Sequence, residues 1–347
     1  MTVLRVYQPE SSEADRQGLV QRSRPCDLCS GHDLEVISLT DRKGKPLPTA
    51  ICIDCGLISH LQLPTDDESE RYYRDEYRMA YHAEETPSPR RVIKAWEQGQ
   101  FLLNLLKPFL HQGEKVFEVG AGLGCNVKAF LLAGFPASGI EPGASFCTYS
   151  RDTLHVPLTT GRLEQLPQQP SHDLVLLVHV IEHLNSPRTA LQQIRGLLNP
   201  GGRLYVECPN TSAPHAAPGK MFHYAHNYNF TDQTLISLAT SCGLKLMQRL
   251  SKPRDKNLRL LFETSEASQP LLQGDGYEHT MSCVERYRRF TYHMRPSYVI
   301  ERARSLRREI ACRIRSQEKL DKIIAACQTA PAVVERHPEP PTLTKAA

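Results

Sequence analysis

A glycine-rich turn preceded by a carboxylate is the part of the sequence best suited to bind a charged cofactor. Glu118 lies inside the short apolar run 116–119, and three glycines follow at alternate positions, Gly120, Gly122 and Gly124. A strand, a glycine turn and a helix in this order place a nucleotide outside the carboxyl end of the strand. A dinucleotide site would need a glycine in place of Cys125. Glu118 would also repel a pyrophosphate, whereas it suits the sulfonium and ammonium groups of S-adenosylmethionine.

A second carboxylate stands where such a cofactor would need one. Glu141 follows Glu118 by 23 residues and ends the next apolar segment, residues 137–140. An acidic residue at the tip of the second strand of this kind of fold binds the ribose hydroxyls. The two carboxylates and the glycine turn together predict an S-adenosylmethionine site.

These motifs resemble those of the class I S-adenosylmethionine-dependent methyltransferases. The resemblance runs from about Arg90 to Thr264 and rests on E-x-G-x-G-x-G, on Glu141 and on two later runs, residues 179–184 and 198–202. It implies an α/β fold with a doubly wound, seven-stranded Rossmann-like sheet whose last strand is antiparallel. It also implies cofactor contacts from Leu163, Glu164 and His179.

Three histidines are the candidates for the acceptor side of the site. Methyl transfer from a sulfonium needs an aligned acceptor and, for some acceptors, a base, but no protein nucleophile. Cys125 and Cys208 are therefore interpreted as packing residues. Acceptor-side groups should follow strands 4 and 5, which selects His179, Glu182 and His183, Asn210 and the loop 221–230. Among them, His183, His223 and His226 are the candidate bases. His226 is the favoured base because a histidine ordinarily titrates near neutral pH and its loop, residues 221–230, carries polar and aromatic groups.

Four cysteines have the spacing of a structural metal site. Cys26 and Cys29 form one C-x-x-C pair, and Cys52 and Cys55 form a second after 22 intervening residues. Four thiolates complete a tetrahedral zinc site and leave no coordination position open for chemistry. The sequence therefore predicts a zinc ribbon over residues 25–62, with Zn²⁺ in a structural role.

The ribbon and the methyltransferase motifs together resemble a narrower group, the sugar C-methyltransferases of deoxysugar biosynthesis. In that group the loop after strand 5 reads roughly Tyr-His-Glu-His, and the Tyr, the Glu and the last His are catalytic. The aligned residues here are His223, Tyr224, Ala225 and His226, so the last histidine is retained and the glutamate is replaced. The resemblance implies a small-molecule acceptor, a sugar or surface-glycan precursor, methylated on carbon or oxygen.

Charge separates the body of the chain from its C-terminal part. The formal net charge is +4, but residues 281–330 carry 12 Lys or Arg against 5 Asp or Glu, and the remainder carries 30 against 33. Only the C-terminal part therefore has the charge to bind nucleic-acid phosphates. Two alternatives stay open: a zinc-ribbon RNA methyltransferase that uses this basic part, and a non-catalytic cofactor-binding scaffold.

Hydrophobic patterning divides the rest of the chain. The cofactor domain, residues 91–265, is predicted to begin with a helix at 91–110 and to contain seven strands, at 116–120, 137–141, 155–158, 173–180, 203–208, 244–250 and 258–263. Residues 63–90 are interpreted as an aromatic linker or a lid over the cofactor. Residues 278–330 predict a basic helical extension that packs one face on the body or forms a coiled coil for self-association. Residues 1–24 and 331–347 are predicted to be disordered.

The sequence pattern predicts neither an export signal nor a membrane span. Residues 1–24 carry charges throughout, and no apolar run approaches the roughly 18 to 20 residues that cross a bilayer. Four of the 11 cysteines have metal-site spacing and the others are scattered, which fits a reducing compartment. The sequence therefore predicts a cytoplasmic protein.

Overall fold

Two β-sheets organise the residues that the computed structural model describes, namely 19–21, 24–65, 68, 87–213, 216–217, 219–253, 255–266, 274–286 and 292–328. The strands in chain order are β1 (Leu19–Gln21), β2 (Asp33–Thr40), β3 (Pro46–Cys52), β4 (Ile58–His60), β5 (Val116–Val119), β6 (Ala137–Glu141), β7 (Leu158–Thr160), β8 (His172–Val178), β9 (Leu198–Pro209), β10 (Tyr228–Asn229), β11 (Leu244–Arg249) and β12 (Asn257–Thr264). The tyrosine-rich part of the 63–90 linker and residues 331–347 lie outside the described residues.

Eight α-helices pack around these sheets in the described part of the chain. They are α1 (Pro89–Leu106), α2 (Cys125–Leu132), α3 (Ala144–Leu154), α4 (Pro187–Leu197), α5 (Asp232–Ser241), α6 (Gly276–Glu285), α7 (Pro296–Arg313) and α8 (Ser316–Gln328). None of these helices is both long enough and apolar enough to cross a bilayer.

The larger sheet has seven strands in the order β11-β12-β9-β8-β5-β6-β7. The five strands from β9 to β7 are parallel, whereas β12 runs antiparallel to both β9 and β11. Strand β8 lies at the centre, and residues 174–177 are fully buried, because helices cover both faces of a doubly wound sheet. The predicted α/β fold with an antiparallel last strand is therefore confirmed.

Several strand boundaries differ from the predicted ones for local backbone reasons. Strand β8 ends at Val178, two residues before the predicted end, because His179 adopts φ 54° and turns the chain out of the sheet. Strand β7 begins at Leu158 rather than at residue 155, because His155 ends helix α3 in a left-handed conformation. The first departure lies at the carboxyl end of β8 and the second at the amino end of β7, and at both places backbone geometry rather than hydrophobicity sets the strand boundary.

The smaller sheet joins the cysteine-rich segment to the larger domain. Its order is β1-β2-β3-β4-β10, and β10 comes from the loop that follows β9 of the larger sheet. Residues Leu19–Gln21 pair with β2, so the prediction of disorder across 1–24 is wrong for this part. Residues 1–18, 22 and 23 are not among the residues that the structure describes. We use "the ribbon" for residues 25–62, which form a continuous unit with the larger domain rather than an independent appendage.

The C-terminal extension contains three described helices rather than one continuous seam. Arg315 adopts φ 52° between α7 and α8, so the chain turns there. The segment predicted to form a coiled coil is therefore not one continuous helix. Helix α8 buries Leu320, Ile323 and Cys327 in the core of the cofactor domain, against α1 and α3. By contrast, four apolar side chains of α7 are largely exposed, Val299, Ile300, Leu306 and Ile310.

Candidate functional site

The glycine turn after β5 has the backbone that its sequence predicts. Gly120, Gly122 and Gly124 adopt φ values of 71°, 55° and 68°, in the left-handed region that favours glycine. A Cβ on Gly120 would lie 2.5 Å from Cγ2 of Val180. The turn after β5 therefore packs directly against the turn after β8, where His179, Glu182 and His183 lie.

Glu118 is buried beneath this turn with half of its carboxylate unsatisfied. Its Oε1 accepts a hydrogen bond of 2.6 Å from the Asn126 side chain. Its Oε2 is buried and has no hydrogen-bond partner within the described residues. Burial, together with the nearby Glu141 carboxylate, raises the pKa of Glu118 to about 8 against the lowering effect of Asn126. A ligand cation would satisfy the unpaired oxygen and restore the charged form, so this residue fits the cationic end of S-adenosylmethionine.

Glu141 holds the glycine turn from the tip of β6. Its Oε2 accepts a hydrogen bond of 2.8 Å from Gly122 N–H, and its Oε1 accepts one of 2.9 Å from Gly143 N–H. Burial raises the pKa of Glu141, although the backbone donors and Arg91 oppose the shift. Each oxygen keeps a second lone pair, so the residue can also accept from the hydroxyls of a ribose.

The remaining residues predicted to contact the cofactor are spread over the same edge of the sheet. Leu163 is buried and Glu164 is exposed, and both lie in the short helical turn after β7. Just before this turn, Gly161 N–H donates a hydrogen bond to the carbonyl oxygen of Glu141. His179 lies further along, where its Nδ1 is 3.2 Å from Oε1 of Glu182 and its Nε2 is 3.1 Å from the Asn257 amide. Burial opposes protonation of His179, but the carboxylates of Glu182 and Glu207 raise its pKa.

The three candidate histidines of the acceptor side converge, although they come from two distant segments. The rings of His183 and His226 are 5.0 Å apart, and those of His223 and His226 are 4.9 Å apart. Nδ1 of His183 lies 2.6 Å from the carbonyl oxygen of Ala225. We call residues 221–230 the histidine loop, and Glu182, His183, His223 and His226 the histidine cluster.

Two histidines of the cluster, His223 and His226, are poorly suited to accept protons on their own. Burial, together with the neighbouring His183 and His223 rings, lowers the pKa of His226 to about 2. Burial and Arg42 lower the pKa of His223 to about 4. A general base works best with a pKa near the working pH. His226 therefore has the position expected of an acceptor-side group but not the basicity of an isolated base.

The ribbon holds the histidine loop in place, which the sequence did not indicate. Strand β10 of the loop pairs with β4 of the ribbon. Nε2 of His60 lies 3.1 Å from the carbonyl oxygen of His223, and Arg42 N–H donates to the carbonyl of Phe222 at 2.8 Å. No motif marks a two-residue strand, so only the paired backbones reveal this contact.

The four ribbon cysteines form a compact cluster. Their sulfur atoms all lie within 4.8 Å of one another; Cys26 Sγ is 3.6 Å from Cys55 Sγ, and Cys29 Sγ is 3.4 Å from Cys52 Sγ. A zinc tetrahedron with bonds of about 2.3 Å has sulfur separations of about 3.8 Å. The donor set and its spacing therefore fit Zn²⁺, with no ligand position left open.

The first cysteine knuckle, the turn that carries Cys26 and Cys29, also contacts the cofactor domain. The Asp27 carboxylate accepts hydrogen bonds from Arg188 N–H and from the Ser186 hydroxyl, at 2.6 and 2.8 Å, at the start of α4. Carboxylates stabilise helix N-termini in this way. The ribbon is thus fixed at the knuckle as well as at β10, so its folding and the position of the histidine loop are coupled.

Comparisons with known proteins agree with this fold. Residues 90–249 match the family model described as Methyltransferase domain. A tRNA U34 carboxymethyltransferase of Hydrogenovibrio crunogenus is 31% identical over 43% of this chain and 48% of its own length. A ubiquinone biosynthesis O-methyltransferase of Marinobacter nauticus is 24% identical over 28% of this chain and 45% of its own. The chain thus spans about half the length of these relatives.

Among solved structures, the chain is similar to a 1,6-didemethyltoxoflavin-N1-methyltransferase of Burkholderia thailandensis. The TM-score is 0.45 and the identity 19%, over 63% of this chain and 96% of that one. The assignment of the domain depends not on this similarity but on the strand order, the antiparallel β12 and the match to the family model. On these grounds, residues 90–249 are a class I S-adenosylmethionine-dependent methyltransferase domain.

Proposed function

We propose that the protein transfers the methyl group of S-adenosylmethionine to a carbon or oxygen atom of a small, sugar-linked acceptor. The observation that carries this proposal is the contact between two turns at one edge of the sheet. The glycine turn, suited to the cofactor, packs against Val180, and two members of the histidine cluster, Glu182 and His183, follow Val180 within three residues. Cofactor groups and acceptor-side groups are thus adjacent, as an in-line displacement requires.

The cofactor half of the proposal rests on two buried carboxylates with different partners. Glu118 is suited to the cationic end of the cofactor because its Oε2 accepts no hydrogen bond from the described residues. Glu141 is suited to the ribose because it already orients the glycine turn through two backbone N–H groups. The sulfonium supplies the methyl group, and the chain has to align the acceptor with it and exclude water.

The acceptor half rests on the histidine loop. Both His223 and His226 belong to a segment whose backbone is held by the ribbon, so the ribbon acts on the reaction by positioning this loop. The resemblance to sugar C-methyltransferases favours a sugar-linked acceptor, and the sequence replaces their loop glutamate by Ala225. The Ala225 backbone contacts His183 and His223 instead. An acceptor hydroxyl would therefore meet imidazoles and the Glu182 carboxylate rather than the side chains of that group.

RNA methylation is the second candidate. The names of some relatives favour it, since the matched enzyme of Hydrogenovibrio crunogenus acts on tRNA. The basic residues of α7 and α8 are the described surface that such an acceptor would use, for example Arg304, Arg307 and Arg315, which are exposed. The small-molecule proposal is preferred because the histidine loop is held between the ribbon, through β10 and β4, and the cofactor domain, through His183 and Ala225.

A transfer assay separates the two candidates. The full chain is incubated with S-adenosylmethionine carrying a labelled methyl group, and with either nucleotide-activated sugars or unmodified tRNA transcripts. Label in the sugar, with a mass increase of one methylene group, is the expected result. Label in tRNA that disappears when Arg304 and Arg307 are replaced by Ala would support the RNA candidate instead.

A further inference from the structure

The histidine cluster contains a buried carboxylate oxygen that no group of the described residues satisfies. Glu182 is only 2% exposed. Its Oε1 lies 3.2 Å from His179 Nδ1, whereas its Oε2 is buried and accepts no hydrogen bond from the described residues. An unsatisfied buried carboxylate oxygen is costly, so such an atom normally has a cation or an N–H donor.

The imidazoles of His183 and His226 lie close enough to the Glu182 carboxylate to bind one ion together with it. Glu182, His183 and His226 each offer a ligand atom, and these atoms all lie within 4.8 Å of one another. The three residues belong to two different segments, the turn after β8 and the histidine loop. Helical or strand periodicity cannot bring them together, so the fold itself assembles the group.

The ring of His183 is held in the orientation that a metal ligand needs. Its Nδ1 lies 2.6 Å from the carbonyl oxygen of Ala225, so Nδ1 carries the proton and Nε2 carries the lone pair. Nε2 is the atom that lies 3.9 Å from Oε1 of Glu182. Metal-binding histidines usually donate their other N–H to a carbonyl or carboxylate in this way, which fixes the ring and its tautomer.

We propose that Glu182, His183 and His226 bind a divalent first-row transition metal ion, such as Mn²⁺, Co²⁺ or Zn²⁺. One carboxylate and two imidazoles suit these ions better than Mg²⁺ or Ca²⁺, which prefer oxygen ligands. Three protein ligands leave coordination positions open for water or an acceptor, unlike the closed set of four ribbon cysteines. The protein would thus hold two metal ions of different character, one structural and one facing the acceptor.

The role of this metal, although not its binding, rests on the proposed methyl transfer. A hydroxyl bound to the ion would lose its proton to solvent more easily, because the cation stabilises the alkoxide. The oxygen lone pair then forms the bond to the methyl carbon while the bond from carbon to sulfur breaks, and its electron pair stays on sulfur. The products are the methyl ether, S-adenosylhomocysteine and one released proton.

A Mn²⁺ titration of the full-length protein, loaded beforehand with only one equivalent of zinc per chain, tests the site without an acceptor. Free Mn²⁺ is followed by electron paramagnetic resonance, with the ribbon cysteines already saturated by zinc. One bound Mn²⁺ per chain is expected. Glu182→Gln, His183→Ala and His226→Ala should each weaken binding at least about 30-fold. The matched controls Glu97→Gln and His111→Ala, both at exposed positions, should bind within about twofold of the wild type.

Two further measurements show whether each variant is folded. Its zinc content should remain at one per chain, and its affinity for S-adenosylhomocysteine should stay within about threefold of the wild type. Failure of the folded wild type to bind Mn²⁺ or Co²⁺ beyond the ribbon zinc would overturn the proposal, as would folded Glu182→Gln and His226→Ala variants that bind like the wild type. Absence of methyl transfer with intact Mn²⁺ binding would count against the proposed function alone.

Discussion

Glu141 is hydrogen-bonded to the turn that it is expected to share with the cofactor. Its carboxylate accepts from Gly122 and Gly143 N–H, and in the proposed site it also accepts from the ribose. Glu141→Ala should therefore weaken S-adenosylmethionine binding by about 2 to 3 kcal/mol, because hydrogen bonds to a charged acceptor are among the stronger ones. Calorimetry measures the loss, and the exposed Asp152→Ala serves as control. An unchanged affinity in Glu141→Ala would exclude this residue from the site.

Glu118 should make cofactor binding depend on pH. Burial raises its pKa from the ordinary 4.5 to about 8, so in the cofactor-free protein the carboxyl is mostly protonated at pH 7. The stability contributed by this protonated form is therefore lost as the pH rises from about 4.5 to about 8. A bound cation favours the carboxylate, so binding at pH 7 should release the proton.

Below pH 8, the affinity for S-adenosylmethionine should rise by up to about tenfold for each unit by which the pH increases. Calorimetry of binding in two buffers with different ionisation enthalpies counts the released proton. Glu118→Gln, which cannot ionise, should bind more weakly and release one proton fewer than the wild type. Equal proton release in the two proteins would show that the carboxyl of Glu118 does not interact with the cofactor.

At the scale of elements, the ribbon should control the acceptor side without controlling the cofactor side. Strand β10 and the contact between His60 and His223 link the histidine loop to the ribbon, whereas the glycine turn belongs to the larger sheet. The double variant Cys52→Ser/Cys55→Ser should lose zinc and unfold residues 25–62, since a structural zinc site supplies folding free energy.

Hydrogen exchange should then increase in the histidine loop as well as in the ribbon. Methyl transfer should fall by about 100-fold or more, since positioning is lost, while the affinity for S-adenosylhomocysteine stays within about threefold. Metal analysis that finds no zinc in the wild-type protein would remove the structural role of the ion. Unchanged exchange in residues 221–230 of the double variant would show that the loop folds without the ribbon.

The C-terminal helices offer a matched pair of leucines for a stability measurement. Leu320 of α8 is 7% exposed in the core of the cofactor domain, whereas Leu306 of α7 is 60% exposed. Leu320→Ala should lower the free energy of unfolding by about 2 to 5 kcal/mol, the usual cost of truncating a buried leucine. Leu306→Ala should change it by less than about 0.5 kcal/mol. Similar small effects for both would mean that α8 is not docked in solution.

At the scale of the whole molecule, the exposed apolar face of α7 favours the predicted self-association of the chain. Leu306 and Ile310, one helical turn apart, are 60% and 49% exposed, and exposed apolar patches commonly mark contacts between proteins. Sedimentation velocity of the full chain should show a dimer at micromolar concentration. Leu306→Glu/Ile310→Glu should shift it to monomer, while the double glutamine variant, which adds no charge, should show a smaller shift. A wild-type monomer at all concentrations would refute the prediction.

The central parallel strand and the glycine turn could be inferred from the sequence because each depends on a local pattern. Continuously apolar residues 174–177 mark a central parallel strand, and a carboxylate two residues before a glycine turn marks the end of β5. The C-x-x-C pairs are equally local, because each knuckle is set by four consecutive residues. These signals need no knowledge of what lies across the fold.

The histidine cluster and its support were decided by tertiary structure alone. His183 and His226 are 43 positions apart, and their rings meet because β10, only two residues long, pairs with the ribbon. The depressed pKa of His226 and the unsatisfied oxygen of Glu182 follow from burial, which depends on packing from distant segments. Sequence patterns record the periodicity of one element at a time, whereas burial and convergence of side chains arise only when separate elements share a volume.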